Sequence, residues 1–74
     1  MPRLPRISGA RAAAGLRKLG FEDHHQRGGH LVLKHADGRR AVVPVHGSKT
    51  LRPGTLRNIL REAGVTIEQF RQVL

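Results

Sequence analysis

His30 stands directly after Gly28 and Gly29 and opens the apolar run of "RGGHLVLKH", residues 27 to 35. An imidazole is suited to moving a proton near neutral pH. The two glycines carry no side chains and permit positive φ, so a phosphate or ribose can come close to the backbone N–H groups beside the ring. Cations follow at Lys34, Arg39, Arg40 and Lys49. Lysine offers phosphate oxygens a point charge and arginine a bidentate fork. This inventory is sufficient for one reaction of RNA. The ribose 2′-OH attacks its own phosphodiester once a base takes its proton, and a cation stabilises the charge gathering on phosphorus. The same residues also fit a plainer reading, in which Gly28 and Gly29 form an ordinary turn and His30 is a solvated residue at a strand edge.

Such a reaction calls for no metal ion or other cofactor. Hydrolysis with two Mg²⁺ ions needs converging carboxylates, whereas Glu22 and Asp23 are neighbours on a strand and diverge, and Asp37 falls in a turn. The histidines, His24, His25, His30, His35 and His46, come without cysteine and without a helical H-x-x-x-H pair, so their spacing is nonspecific for zinc. There is no Trp or Tyr, and Phe21 and Phe70 are both expected in the core, which argues against a base-stacking platform. RNA binding would then rest on backbone charge and be strongly salt-dependent.

Charge supports a polyanionic partner. Lys and Arg number 14 against 5 Asp and Glu, a formal +9 on 74 residues. No carboxylate occurs between Asp37 and Glu62, while Arg39, Arg40, Lys49, Arg52, Arg57 and Arg61 all fall in that window. Nucleic acid is favoured, although an acidic protein could use the same face. A chain of this length is expected to form one small domain, residues 1–74, burying about 60% of the surface its unfolded form exposes. The absence of cysteine fits a reducing cytoplasm. The start "MPRLPRISGA" has no apolar signal region, and no stretch approaches the roughly 20 apolar residues of a membrane span. The expectation is a soluble cytoplasmic protein.

The elements that must position these residues follow from periodicity. Residues 1 to 7, with two prolines, read as an extended lead-in. Ser8 is an N-cap, and Ala12, Leu16 and Leu19 mark a helix over roughly residues 9 to 19, stopped by Gly20. "FEDHHQ", "HLVLKH" and "RAVVPV" read as three antiparallel strands, with an Asp-Gly hairpin signal between the second and third. Pro44 marks the third as an edge strand. Pro53 opens a helix whose stripe is Leu56, Ile59, Leu60 and Ala63, ended by Gly64. A last short helix opens with a capping box, Thr66 and Gln69, and carries Ile67, Phe70 and Leu74 on one side. This is an α+β order with helices on one sheet face. Alternation in the second strand turns Leu31 and Leu33 toward the helices and His30, Val32 and Lys34 toward the open face.

The stretch from Ile7 to Phe70 resembles the HicA family of bacterial toxins. The match is carried by Leu-Gly-Phe after the first helix, the Gly-x-His turn into a strand, the "DGRR" hairpin, "VPVHG" followed by a lysine, and "LRPGTLRNILREAG". The resemblance implies a double-stranded-RNA-binding-domain-like fold, a three-stranded antiparallel sheet with helices packed on one face. It also implies a metal-independent mRNA interferase neutralised by a HicB antitoxin. The family's key histidine, in a Gly-Ser-His motif, falls on His30. The motif serine is Gly29 here. If that hydroxyl positions the imidazole or a phosphate, activity is lowered; if the turn needs only a small residue, nothing is lost. The expectation is thus a histidine-dependent RNA-cleaving toxin with His30 catalytic and Gly28, Gly29, Lys34, Arg39, Arg40 and Lys49 contacting RNA. The rivals are a noncatalytic RNA-binding module and, more weakly, a DNA-binding regulator using the two C-terminal helices.

Overall fold

Ser8 ends the lead-in and caps the first helix, α1 (Gly9–Lys18), its hydroxyl accepting the Arg11 N–H at 3.2 Å. In the computed structural model, which describes residues 3–45, 47 and 49–74, three strands follow: β1 (Phe21–Arg27), β2 (His30–His35) and β3 (Arg40–Pro44). Two helices complete the order, α2 (Pro53–Ala63) and α3 (Ile67–Gln72). The strands pair antiparallel as β1-β2-β3, which leaves Pro44 on an edge strand, where a missing N–H is tolerated. α2 ends on Gly64 in the left-handed region, and α3 begins with both hydrogen bonds of the Thr66–Gln69 capping box. Among the described residues no helix is long and apolar enough to cross a membrane.

The helices share one face of the sheet. Leu31, Leu33, Ala41 and Val43 join Ala12, Ala13 and Leu16 of α1, the predicted stripe of α2, and Phe70 of α3 in a single buried cluster. Phe21 and Phe70 are among its largest fully buried side chains, each contributing on the order of 1.5–3 kcal/mol by burial. The α1 N-terminus meets the sheet unusually closely. A Cβ on Gly9 would overlap the carbonyl oxygen of Pro44, so only glycine lets this helix start against the end of β3.

Two hairpins set the register. Gly28, at φ 56°, opens the two-residue loop between Arg27 and His30, as primed turns demand at that position. The β2–β3 connection is one residue longer than a two-residue Asp-Gly turn. The Gly38 N–H donates to the His35 carbonyl at 2.9 Å, placing Ala36 and Asp37 at the turn centre, and Gly38 follows with φ 98°. β1 holds an irregularity. Asp23 pairs with Leu33 and His25 with Val32, leaving His24 as an extra, bulged residue.

Candidate active site

The Gly28–Gly29 turn decides which side chain faces His30, and the bulge decides which face the start of β1 presents. Directly opposed residues of a ladder project from the same face. Phe21 and Asp23 lie on the helix side, Phe21 buried in the core and Asp23 bound by Arg17 of α1 at 2.8 and 3.0 Å. Uninterrupted alternation would put Arg27 on that side as well. The extra residue at His24 reverses the parity and reconciles that side with the turn, which sets Arg27 opposite His30, and hence His25 opposite Val32, on the open face. Arg27 and His30 are both exposed and close the Gly28–Gly29 turn. Opposed Cβ atoms in such pairs stand roughly 4.5–5.5 Å apart.

The rim around His30 is completed from β3. Pro44 opposes His30 on its other side, and the Val45 N–H donates to the Gly29 carbonyl at 2.7 Å, extending the ladder past the proline. A Cβ at Gly28 would meet nothing within 4 Å, so the turn is open to a ligand. His30, Gly28 and Gly29 are therefore together at one end of the sheet, as the sequence implied. Val32 departs from expectation: it faces away from the helix-side core yet is only 8% exposed, because His25 and Val42 flank it across both ladders.

The predicted cations do not gather around the imidazole. Lys34 opposes Arg40 on one side and Glu22 on the other, all exposed on the open face, four residues along β2 from His30. At about 3.3 Å per residue this is roughly 13 Å away. Like charges directly opposed in a ladder are destabilising, a cost to the Lys34–Arg40 pair that the Glu22 carboxylate offsets from the other side of Lys34. Lys49 is exposed beside Thr50, which bridges to Ser8 at the α1 cap.

Arg39 turns the other way. Its Nη1 donates to the carbonyls of Ala63 at 2.9 Å and Gly64 at 3.2 Å, its Nε to Asp37 at 2.8 Å, and its guanidinium lies 5.4 Å from the Phe21 ring centroid. It thus caps the C-terminus of α2 from the helix side of the sheet, apart from Lys34 and Arg40, with which it was expected to contact RNA. The Arg39 backbone N–H, followed by its side chain, holds the Asp37 carboxyl below the usual carboxylate range.

The remaining histidines are dispersed. His24 and His25 meet edge to face at the bulge, and His35 lies against Phe21 on the helix side. His46 lies outside the described residues. Among the described residues no three His, Asp or Glu side chains are grouped as metal ligands. Glu22 and Asp23 diverge to opposite faces, as adjacent strand residues must.

A family model described as the HicA toxin of bacterial toxin–antitoxin systems matches residues 10–65, from α1 through the C-terminal end of α2. The chain belongs to the HicA toxin family. No curated protein matches it. As a HicA toxin it is one half of a toxin–antitoxin pair, and the family implies an antitoxin as its partner. The matched span contains the whole sheet and the His30 rim; the lead-in and α3 of this HicA toxin lie outside it.

Proposed function

We propose that this HicA toxin is a metal-independent endoribonuclease that cleaves mRNA in the cytoplasm and is held inactive by a HicB-like antitoxin. The observation that carries the reading is the His30–Arg27 pair at the exposed rim beside the glycine turn. The imidazole moves a proton at the ribose 2′-oxygen or the leaving 5′-oxygen. The guanidinium across the ladder stabilises the negative charge that develops on the phosphoryl oxygens. The 2′-oxygen forms its bond to phosphorus as the P–O5′ bond breaks, giving a 2′,3′-cyclic phosphate and a 5′-hydroxyl, with the 2′ proton accounted for on the leaving oxygen. No water, metal or redox partner enters the balance. Lys34, Arg40 and Lys49 would hold flanking phosphates, and an acidic antitoxin surface laid over the basic rim would block access to His30.

The test is cleavage of a fluorophore-labelled RNA in excess chelator, with wild type and His30→Ala compared. His30 is exposed and outside the buried core, so its truncation is expected to leave the chain folded. Cleavage should fall about 100-fold or more while RNA affinity stays near wild type. An all-deoxy substrate should not be cut. A folded His30→Ala protein that cleaves at the wild-type rate rejects the assignment. A second reading, an RNA-binding module without cleavage, is favoured by Gly29 in place of the motif serine. It predicts that wild type binds without cutting and that Gly29→Ser restores cleavage.

A further inference from the structure

A groove of about 910 Å³ lies on the helical side of the molecule, lined by the lead-in, the segment around Leu51 and the starts of α2 and α3. None of its described lining comes from the sheet that carries His30. Its walls are held in place by the Leu51 N–H donating to the Ile7 carbonyl at 2.8 Å, by the Ser8–Thr50 bridge, and by Arg71 reaching the Arg3 carbonyl at 3.4 Å.

Its chemistry is mixed in a particular way. Leu4, Leu51 and Ile67 pack against the core from below and remain partly exposed, giving an aliphatic floor. Arg3, Arg6 and Arg57 stand exposed around it. Among the described residues these guanidiniums have no carboxylate or hydrogen-bond acceptor, and no Asp or Glu lines the groove. Single-stranded nucleic acid would use the arginines but is read by stacking on aromatic rings, of which the groove has none. Aliphatic pockets rimmed by unpaired cations complement instead a peptide that alternates carboxylates with aliphatic side chains.

We propose that this groove docks an acidic, leucine-bearing segment of the protein partner, as an anchor separate from the His30 rim. The family membership makes the antitoxin the partner that carries it, and the inference rests on that membership and not on RNA cleavage. Arg3, Leu4, Arg6 and Ile67 lie outside the family-matched residues 10–65. The groove is accordingly suited to selecting this chain's own partner, while the rim within the matched span serves the reaction.

The experiment is an amide chemical-shift titration of the full ¹⁵N-labelled chain with three probes. These are a short synthetic peptide alternating glutamate and leucine, the same peptide with glutamine for glutamate, and oligouridylate. The acidic peptide should shift Leu4, Arg6, Leu51, Arg57 and Ile67 and leave His30 and Lys34 in place. The glutamine peptide should bind at least about tenfold more weakly. Arg6→Glu combined with Arg57→Glu should weaken the acidic peptide by at least about tenfold; the pair Arg6→Gln and Arg57→Gln serves if the charge reversal unfolds the chain. Equal binding of both peptides, shifts confined to the sheet face, or no binding at all overturns the proposal. Oligouridylate perturbing the groove more strongly than the acidic peptide makes it a nucleic-acid site and overturns it as well. None of these readouts depends on whether the protein cleaves RNA.

Discussion

Arg27 opposes His30 across the β1–β2 ladder, one residue on each side of the Gly28–Gly29 turn. The two-residue turn fixes this pair on the open face, and the bulge at His24 lets the same strand return Asp23 and Phe21 to the helix side. An imidazole and a permanent cation are thereby held at neighbouring positions on paired strands.

If Arg27 stabilises charge in the transition state, Arg27→Ala should lower kcat on the order of 100-fold with little change in KM. Arg27→Lys should recover part of that loss, since it keeps the charge and gives up the bidentate fork. Single-turnover cleavage by the two variants checks this. A loss seen wholly in KM would assign Arg27 to ground-state RNA binding.

Arg39 and Lys34 should separate cleanly. Arg39→Ala removes the hydrogen bonds to Ala63 and Gly64 and the link to Asp37, and is expected to cost about 1–2 kcal/mol of stability. Lys34→Ala should leave stability within about 0.5 kcal/mol but reduce the slope of log affinity for RNA against log salt by about one. Urea denaturation and binding across a salt series measure both. An Arg39→Ala protein as stable as wild type, with a reduced salt slope, would return Arg39 to the RNA contacts.

Gly9→Ala is a small surface-helix change by composition and a severe one by geometry. The added methyl overlaps the Pro44 carbonyl, and overpacking of this kind costs about 1–3 kcal/mol, occasionally more, against the gain of about 1 kcal/mol that alanine normally brings to a helix interior. Thermal unfolding should show a lowered midpoint. Ala10→Gly next to it, at an exposed position, should cost only about 1 kcal/mol.

Acid should weaken the fold through two carboxylates. Asp23 is held below the ordinary range by hydrogen bonds from Arg17, and Asp37 by the Arg39 backbone N–H and then its guanidinium. A carboxyl whose folded pKa is depressed contributes stability above its unfolded value and loses it as pH falls through the folded value. The loss is expected below about pH 4, and it should be modest because both pairs are exposed. Asp37→Asn should be less stable at neutral pH and show a shallower acid decline; an unchanged decline would remove Asp37 from the account.

What the sequence alone determined is whatever depends on near neighbours. Apolar spacing located α1 and the buried stripe of α2, Thr66 and Gln69 announced their capping box, and alternation in β2 turned Leu31 and Leu33 inward and His30 outward. Each of these is a contest between a residue and others within four positions, so local pattern decides it. What only the tertiary structure decided depends on distant chain or on a count of one. The bulge at His24 reverses side-chain parity for the rest of β1, and no local composition marks where a strand of exposed polar residues will slip. Arg39 and Arg40 are adjacent cations of similar chemistry, yet Arg39 is drawn to the carbonyls of Ala63 and Gly64, 24 and 25 residues away, while Arg40 stays on the open face opposite Lys34. Gly9 is required by Pro44, and the arginine-rimmed groove forms only when the lead-in, Leu51 and Ile67 are folded together. The outward place of the His30 imidazole could be read from the chain because a strand's period sets it; the switch of parity along β1 and the arginine-rimmed groove could not, because they are set by a bulge and by packing between segments that sequence keeps apart.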